Sequence, residues 1–357
     1  IRFEEDLNGI INTTTLITDF TIQNGYAHGD WPNDFGGGIY CRNSDPSLAN
    51  VIITNNSASS GGGGIYCNYY SNLNLMGVKI HNNTASRGGG IYCSGSSLNF
   101  STENRCSLYS NNTINREIGA DIYFSDSGTI GLGNTAGNFS LTNSDLALIT
   151  SGSLIIGGAT NGTITVDGVT STSKPLTLIA TASGKAVNFA STASSFNDLT
   201  LDAGTGGVDF GGNVSANGNL SVTSGGNITD IGTLTISGAS SFTTDVANQV
   251  ITLDNTSNSF TGVLTLNTLG NSGNATLVSD NAVTLSTSNI GGNIAVTVGG
   301  NNSLNVIGAG SAGGSISLLA DDDMIFTAAG DLTTTTGKIT INADNDLDKN
   351  SSGGALT

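Results

Sequence analysis

Cys41, Cys67 and Cys93 stand 26 residues apart, each closing the string GGGIYC. A thiol repeated at one interval raises three chemistries: a disulfide, a metal thiolate site, or a stack of buried thiols. Stacking at the inter-strand spacing of about 4.8 Å puts neighbouring Cα atoms within the disulfide range of about 4.4–6.8 Å. Parallel stacked side chains, however, do not give the dihedral that the bond needs. Thiolate metal sites are built on paired Cys or His at short spacing, and no C-x-x-C or paired His occurs. The expectation is a ladder of reduced, inward-facing thiols. Cys106 falls outside the 26-residue register and reads as a separate inward residue.

The acids offer less. In DNDLDKN, Asp344, Asp346 and Asp348 alternate like the first half of a calcium loop. Lys349 stands where such a loop needs Gly, and Ala355 where it needs Glu, so the EF-hand is excluded. A weak calcium site at a turn is the cofactor reading that remains. The loop GYAHGDWPNDFGGG, 25–38, holds His28, Asp30 and Asp34, which are potential metal ligands, and Trp31, which is able to stack on a sugar ring. The plainer reading is a polar surface loop pinned by one aromatic residue. Glycoside cleavage needs paired carboxylates on one face. The chain has Glu only at 4, 5, 103 and 117, and no Asp pair recurs at coil spacing near Arg42, Arg87, Arg105 or Arg116. His28 and His81 sit in no catalytic motif, and GLGNTAG and ASGKA lack the rest of a nucleotide-binding loop. No catalytic or cofactor-binding residue is assigned.

The elements that must position these residues follow from the same interval. Ile39, Ile65 and Ile91 repeat with the cysteines, and IGADIYF at 118–124 is a worn fourth copy. Between the copies lie LANVIITNN, LNLMGVKIHNN and NRCSLYSNN, too short for helices and alternating with period 2. A unit of this length with several short strands is a solenoid signature. Twenty-six residues make one coil of a right-handed parallel β-helix, with about three strands per coil. Each position then sits above its own copy. Alternation along a strand points Ile39, Ile65, Ile91, Cys41, Cys67 and Cys93 inward. It sends Tyr40, Tyr66, Tyr92 and Tyr123 outward as an aromatic ladder and candidate contact surface, with Trp31. Burying an Ile stabilises by roughly 1.5–3 kcal/mol, which sets this register over its opposite. The Gly run supplies a corner at positive φ. Asn56, Asn83 and Asn112 close the preceding strands and are expected to stack as an amide ladder.

Composition divides the chain. All eight Tyr, both His, the Trp and the four Cys lie at or before Tyr123. Residues 1–125 carry the GGGIYC repeats. Residues 126–357 carry a looser Gly/Asn/Thr-rich beat, SLII, GTITV, PLTLI, AVNF and DLTLD through GKITI, expected to continue the same helix. The net charge is −17 and spread thinly, and the ten Lys and Arg are scattered, so nucleic acid is discounted as a partner. No apolar run approaches the length of a transmembrane helix. The opening IRFEEDLNG has no leader pattern and reads as the start of a mature or excised piece.

The strings GGGIYC alternating with Ile53–Asn56, Ile80–Asn83 and Tyr109–Asn112 resemble the GGAI and FxxN repeats of polymorphic outer-membrane proteins, over residues 15–125. Here Ile or Tyr replaces the Phe. The stretches 226–243 and 258–300 resemble filamentous-haemagglutinin-type large exoproteins. Both resemblances imply β-helical surface proteins of bacteria, displayed outside the cell and often adhesive.

The expected function is therefore an extracellular bacterial surface β-helix, adhesin-like or a structural fibre, without catalysis. Its partners would be other cells, surface glycans or proteins, or copies of itself. The alternatives are a filament or sheath subunit assembling end to end, a carbohydrate-active lyase or hydrolase, and an ice-binding solenoid built on Thr-x-Thr rows.

Overall fold

The structure, a computed structural model, describes residues 1–4, 11–94, 96–100, 107–108, 113–114, 122–124, 129–135, 137, 139–148, 153–171 and 173–343. The described residues form an all-β solenoid of about 11 coils, and among them is one six-residue helix, Asn143–Leu148. The strand pairings are parallel throughout both repeat regions. The chain forms two compact units, residues 1–165 with 174–182, and residues 166–173 with 183–357.

In the first unit each GGGIYC coil has four short strands. One coil runs Ile39–Arg42, Ser47–Ala49, Ile52–Thr54 and Ser57–Ala58. The next repeats it as Ile65–Asn68, Asn72–Met76, Lys79–His81 and Thr84–Ala85. The fourth strand is only two residues long, which is why the sequence pattern shows three. Register follows the repeat: Ile39, Ile65 and Ile91 pair in turn, as do Cys41, Cys67 and Cys93. All six are buried. Leu48, Ile53, Ala58, Leu73, Leu75, Ile80 and Ala85 fill the same interior, so alternate residues of each short strand build a continuous core.

The three glycines of GGGIYC have two different jobs. Gly36, Gly62 and Gly88 have φ of 71°, 67° and 56°, where a side chain is strained. The next two are kept small by the coil above. A Cβ on Gly37 would stand 2.5 Å from the Gly63 carbonyl oxygen, and one on Gly38 would stand 2.7 Å from that of Gly64. Stacking thus brings backbone against backbone at the corner and leaves no room for a methyl group.

In the second unit most coils have three strands, for example Leu199–Ala203, Gly207–Phe210 and Val214–Ala216, and paired positions recur every 19 to 25 residues. Phe189 stacks on Phe210 at 5.1 Å, and Phe242 meets Phe260 edge-on at 6.0 Å. These rings, with Phe196, are the largest fully buried side chains of the unit.

Candidate functional site

The ladders form as the repeat implies, with one change of role. Cys41, Cys67 and Cys93 are buried and in no disulfide. Burial, followed by its contact with Cys67, pushes the Cys41 thiol well above its ordinary range. Asn56 and Asn83 are buried and joined through their amides: Asn56 donates from both its backbone N and its Nδ2 to Asn83 Oδ1, each at 3.0 Å. Asn112 and Cys106 lie outside the described residues.

The tyrosine ladder faces away from the Ile and Cys interior but is not a surface. Tyr40, Tyr66 and Tyr92 are only 3%, 4% and 5% exposed. Their rings follow one another at 5.2 and 5.1 Å. Phe35 packs on Tyr66 at 4.5 Å and on Tyr92 at 5.9 Å, and Ile155 covers the cluster further. The expectation that these three tyrosines are contact residues is therefore corrected. A row of rings on a flat sheet exposes enough apolar area to draw the 28–36 loop over it. The side chain of Tyr123 lies outside the described residues.

That loop is tied down by Asp34 and Asn33. Asp34 accepts from Ser60 Oγ at 2.6 Å, and Asn33 Oδ1 accepts from Arg2 Nη1 at 3.2 Å. Among the described residues no three His, Cys, Asp or Glu gather as metal ligands, and His28, Asp30 and Asp34 form no such group. Asp344, Asp346 and Asp348 lie outside the described residues.

Trp31 is where the loop meets solvent, at 55% exposure. The Arg42 guanidinium lies 5.8 Å from its ring and 4.8 Å from the ring of Tyr69. Tyr69 and Tyr70 are 55% and 81% exposed. Both have positive φ, 52° and 61°, a conformation that is rare for an aromatic residue.

The repeat explains how this pair arises. Arg42 pairs with Asn68, and Asn68 with Ser94. Past them, Ser44 donates its backbone N to Ser71 Oγ, and Ser71 donates likewise to Ser96 Oγ. One residue lies between the paired positions in the first coil, Asn43, and one in the third, Gly95. Those are residue types that accept a left-handed corner, and Asn43 has φ of 48°. The middle coil has two residues there, Tyr69 and Tyr70. An extra residue has entered the corner, and both positions are aromatic. The coil length is restored later, because Ser57 pairs with Thr84, 27 residues on, while Phe35, Gly61 and Arg87 bridge at 26. The sequence reading missed Tyr69 and Tyr70; aligning CRNS, CNYYS and CSGS on their Cys and Ser exposes them.

The corner's polar frame is close by. Glu4 chelates Arg2 through bonds of 2.7 and 2.8 Å, and this bond, ahead of other causes, holds the Glu4 carboxyl below its ordinary range. Arg2 lies over the Tyr40 ring at 4.6 Å. Asp45 Oδ1 accepts from the Asn72 backbone and side chain at 2.7 and 3.2 Å. Tyr40 Oη and Asn68 Oδ1 are buried and have no hydrogen-bond partner in the protein.

Together these features define a parallel β-solenoid carrying an aromatic and arginine corner on its first unit. A family model described as repeats of unknown function (DUF5649) matches residues 196–267, in the second unit. No curated protein and no solved structure matches the chain.

Proposed function

We propose that the protein is a non-catalytic display module of a bacterial surface, adhesin-like, acting outside the cell. The observation that carries this reading is the Tyr69–Tyr70 corner. Where the neighbouring coil has Asn43 alone, this coil has gained a residue and holds two exposed aromatic rings at unfavourable φ. Strain kept at one corner of a regular stack points to use of that corner. The composition fits an exposed setting, with sparse charge and abundant Ser, Thr and Asn. Contacts at such a corner are individually weak and gain strength when many copies are displayed together.

The test is adhesion. Beads coated densely with the chain are expected to attach to bacterial or host cells more than beads coated with an inert protein of equal charge. Equal attachment of both bead types contradicts the proposal.

A further inference from the structure

The same corner also specifies the kind of partner, an inference that rests on the display function above. We propose that Trp31, Tyr69 and Tyr70, with Arg42 touching two of them, form a subsite for a neutral glycan and bind the C–H face of a pyranose ring.

Three observations lead there. The first is geometry. Tyr69 and Tyr70 occupy the turn between Ile65–Asn68 and Asn72–Met76. Both of those strands are already paired on both sides, with Ile39–Arg42 and Ile91–Ser94, and with Ser47–Ala49 and Ser97–Phe100. No strand edge is open at this corner, so an extended peptide finds no backbone ladder to join. What the corner offers is ring faces.

The second is exposure. Trp31, Tyr69 and Tyr70 are 55%, 55% and 81% exposed, and the Arg42 guanidinium lies 5.8 Å from the Trp31 ring and 4.8 Å from that of Tyr69. Solvent-facing rings beside a hydrogen-bond donor suit a sugar, which presents both a C–H face and hydroxyl acceptors.

The third is charge. Ten Lys and Arg stand against 27 Asp and Glu in the chain, and the Glu4 carboxylate acts on Arg42 at the corner itself. Longer-range repulsion works against a polyanion, so sulfated or uronic polymers are disfavoured relative to uncharged sugars.

The chain has a single Trp, Trp31, which makes its fluorescence a reporter of this corner alone. The full chain is titrated with neutral oligosaccharides: β-linked glucose, galactose and N-acetylglucosamine oligomers. A heparin fragment and a proline-rich peptide are titrated in parallel. At least one neutral oligosaccharide is expected to shift the Trp31 emission saturably. Tyr70→Asn should weaken that binding by about 3–10-fold, the scale of one aromatic contact, without lowering the melting temperature. The inference is overturned if no neutral sugar perturbs Trp31, if Tyr70→Asn binds as tightly as the parent, or if the heparin fragment or the peptide binds more tightly than every neutral sugar. Bead adhesion separates the two readings. Adhesion that persists with no sugar binding overturns the glycan assignment and leaves display standing. Loss of both overturns both.

Discussion

Asn83 Oδ1 accepts two hydrogen bonds from Asn56, one from the backbone N and one from the side-chain Nδ2, each at 3.0 Å. Asn83 Nδ2 in turn donates to the Ile53 carbonyl at 2.9 Å. One buried amide therefore joins two coils and satisfies the Asn56 N–H, which lies outside the strands, together with the Ile53 carbonyl. Asn83→Ala leaves several buried polar groups unpaired, each costing about 1–3 kcal/mol. The expected loss is about 2–4 kcal/mol by urea denaturation. Asn83→Ser is expected to recover little, because its hydroxyl is too short to reach Ile53.

Tyr70 gives the opposite sign. It is 81% exposed at φ of 61°, and Asn adopts that conformation more readily than Tyr. Tyr70→Asn is expected to stabilise the chain by about 0.5–1 kcal/mol, read as a higher denaturant midpoint at unchanged slope. A structural tyrosine would instead be costly to replace.

Asp202 makes the pH dependence testable. Burial, and then the nearby Asp245 charge, raise its pKa above the ordinary value of 3.8. Between the unfolded value and this raised folded value, the folded chain holds the proton that the unfolded chain has lost. Stability contributed by this group therefore falls as pH rises through that window and stays lower above it. Asp202→Asn is expected to raise the melting temperature slightly at pH 7 and to leave it unchanged at a pH well below the Asp range. A lower melting temperature at pH 7 would show that the carboxylate is a net stabiliser.

The thiol ladder predicts a reactivity contrast. With Cys106 replaced by Ser, the thiols at 41, 67 and 93 are buried and are expected to resist an aromatic disulfide reagent in the native state. All three should react once the chain is unfolded in denaturant. Fast reaction in native buffer would mean that the coil opens far more readily than its packing implies.

Much of this was legible in the sequence because a parallel stack repeats its constraints. The interval between Cys41, Cys67 and Cys93 gave the register, and Ile39, Ile65 and Ile91 gave the inward face. In the second unit the apolar strings AVNF and GNIAV mark strands Ala186–Phe189 and Ile294–Val298. A strand such as Gly310–Ala312 is less visible, because Gly, Ser and Ala carry little hydrophobic signal. The tyrosine ladder was placed on the right side of the strand but misjudged as exposed. Alternation gives direction only, and the cover comes from Phe35, held by contacts that its own segment does not encode. The candidate site itself was half visible. Trp31 was conspicuous as a lone ring in a polar loop, whereas Tyr69 and Tyr70 show their meaning only when CNYYS is aligned with CRNS and CSGS of the neighbouring repeats.

The role proposed for the corner at Tyr69 and Tyr70 is contact and not folding. The most direct measurement sets adhesion of chain-coated beads to cells beside the melting temperature, for the parent, Trp31→Ala and Tyr70→Asn. Both variants are expected to lose most of the adhesion while Tyr70→Asn melts no lower than the parent. Full adhesion by Tyr70→Asn, or a loss that merely tracks a lower melting temperature, would contradict it.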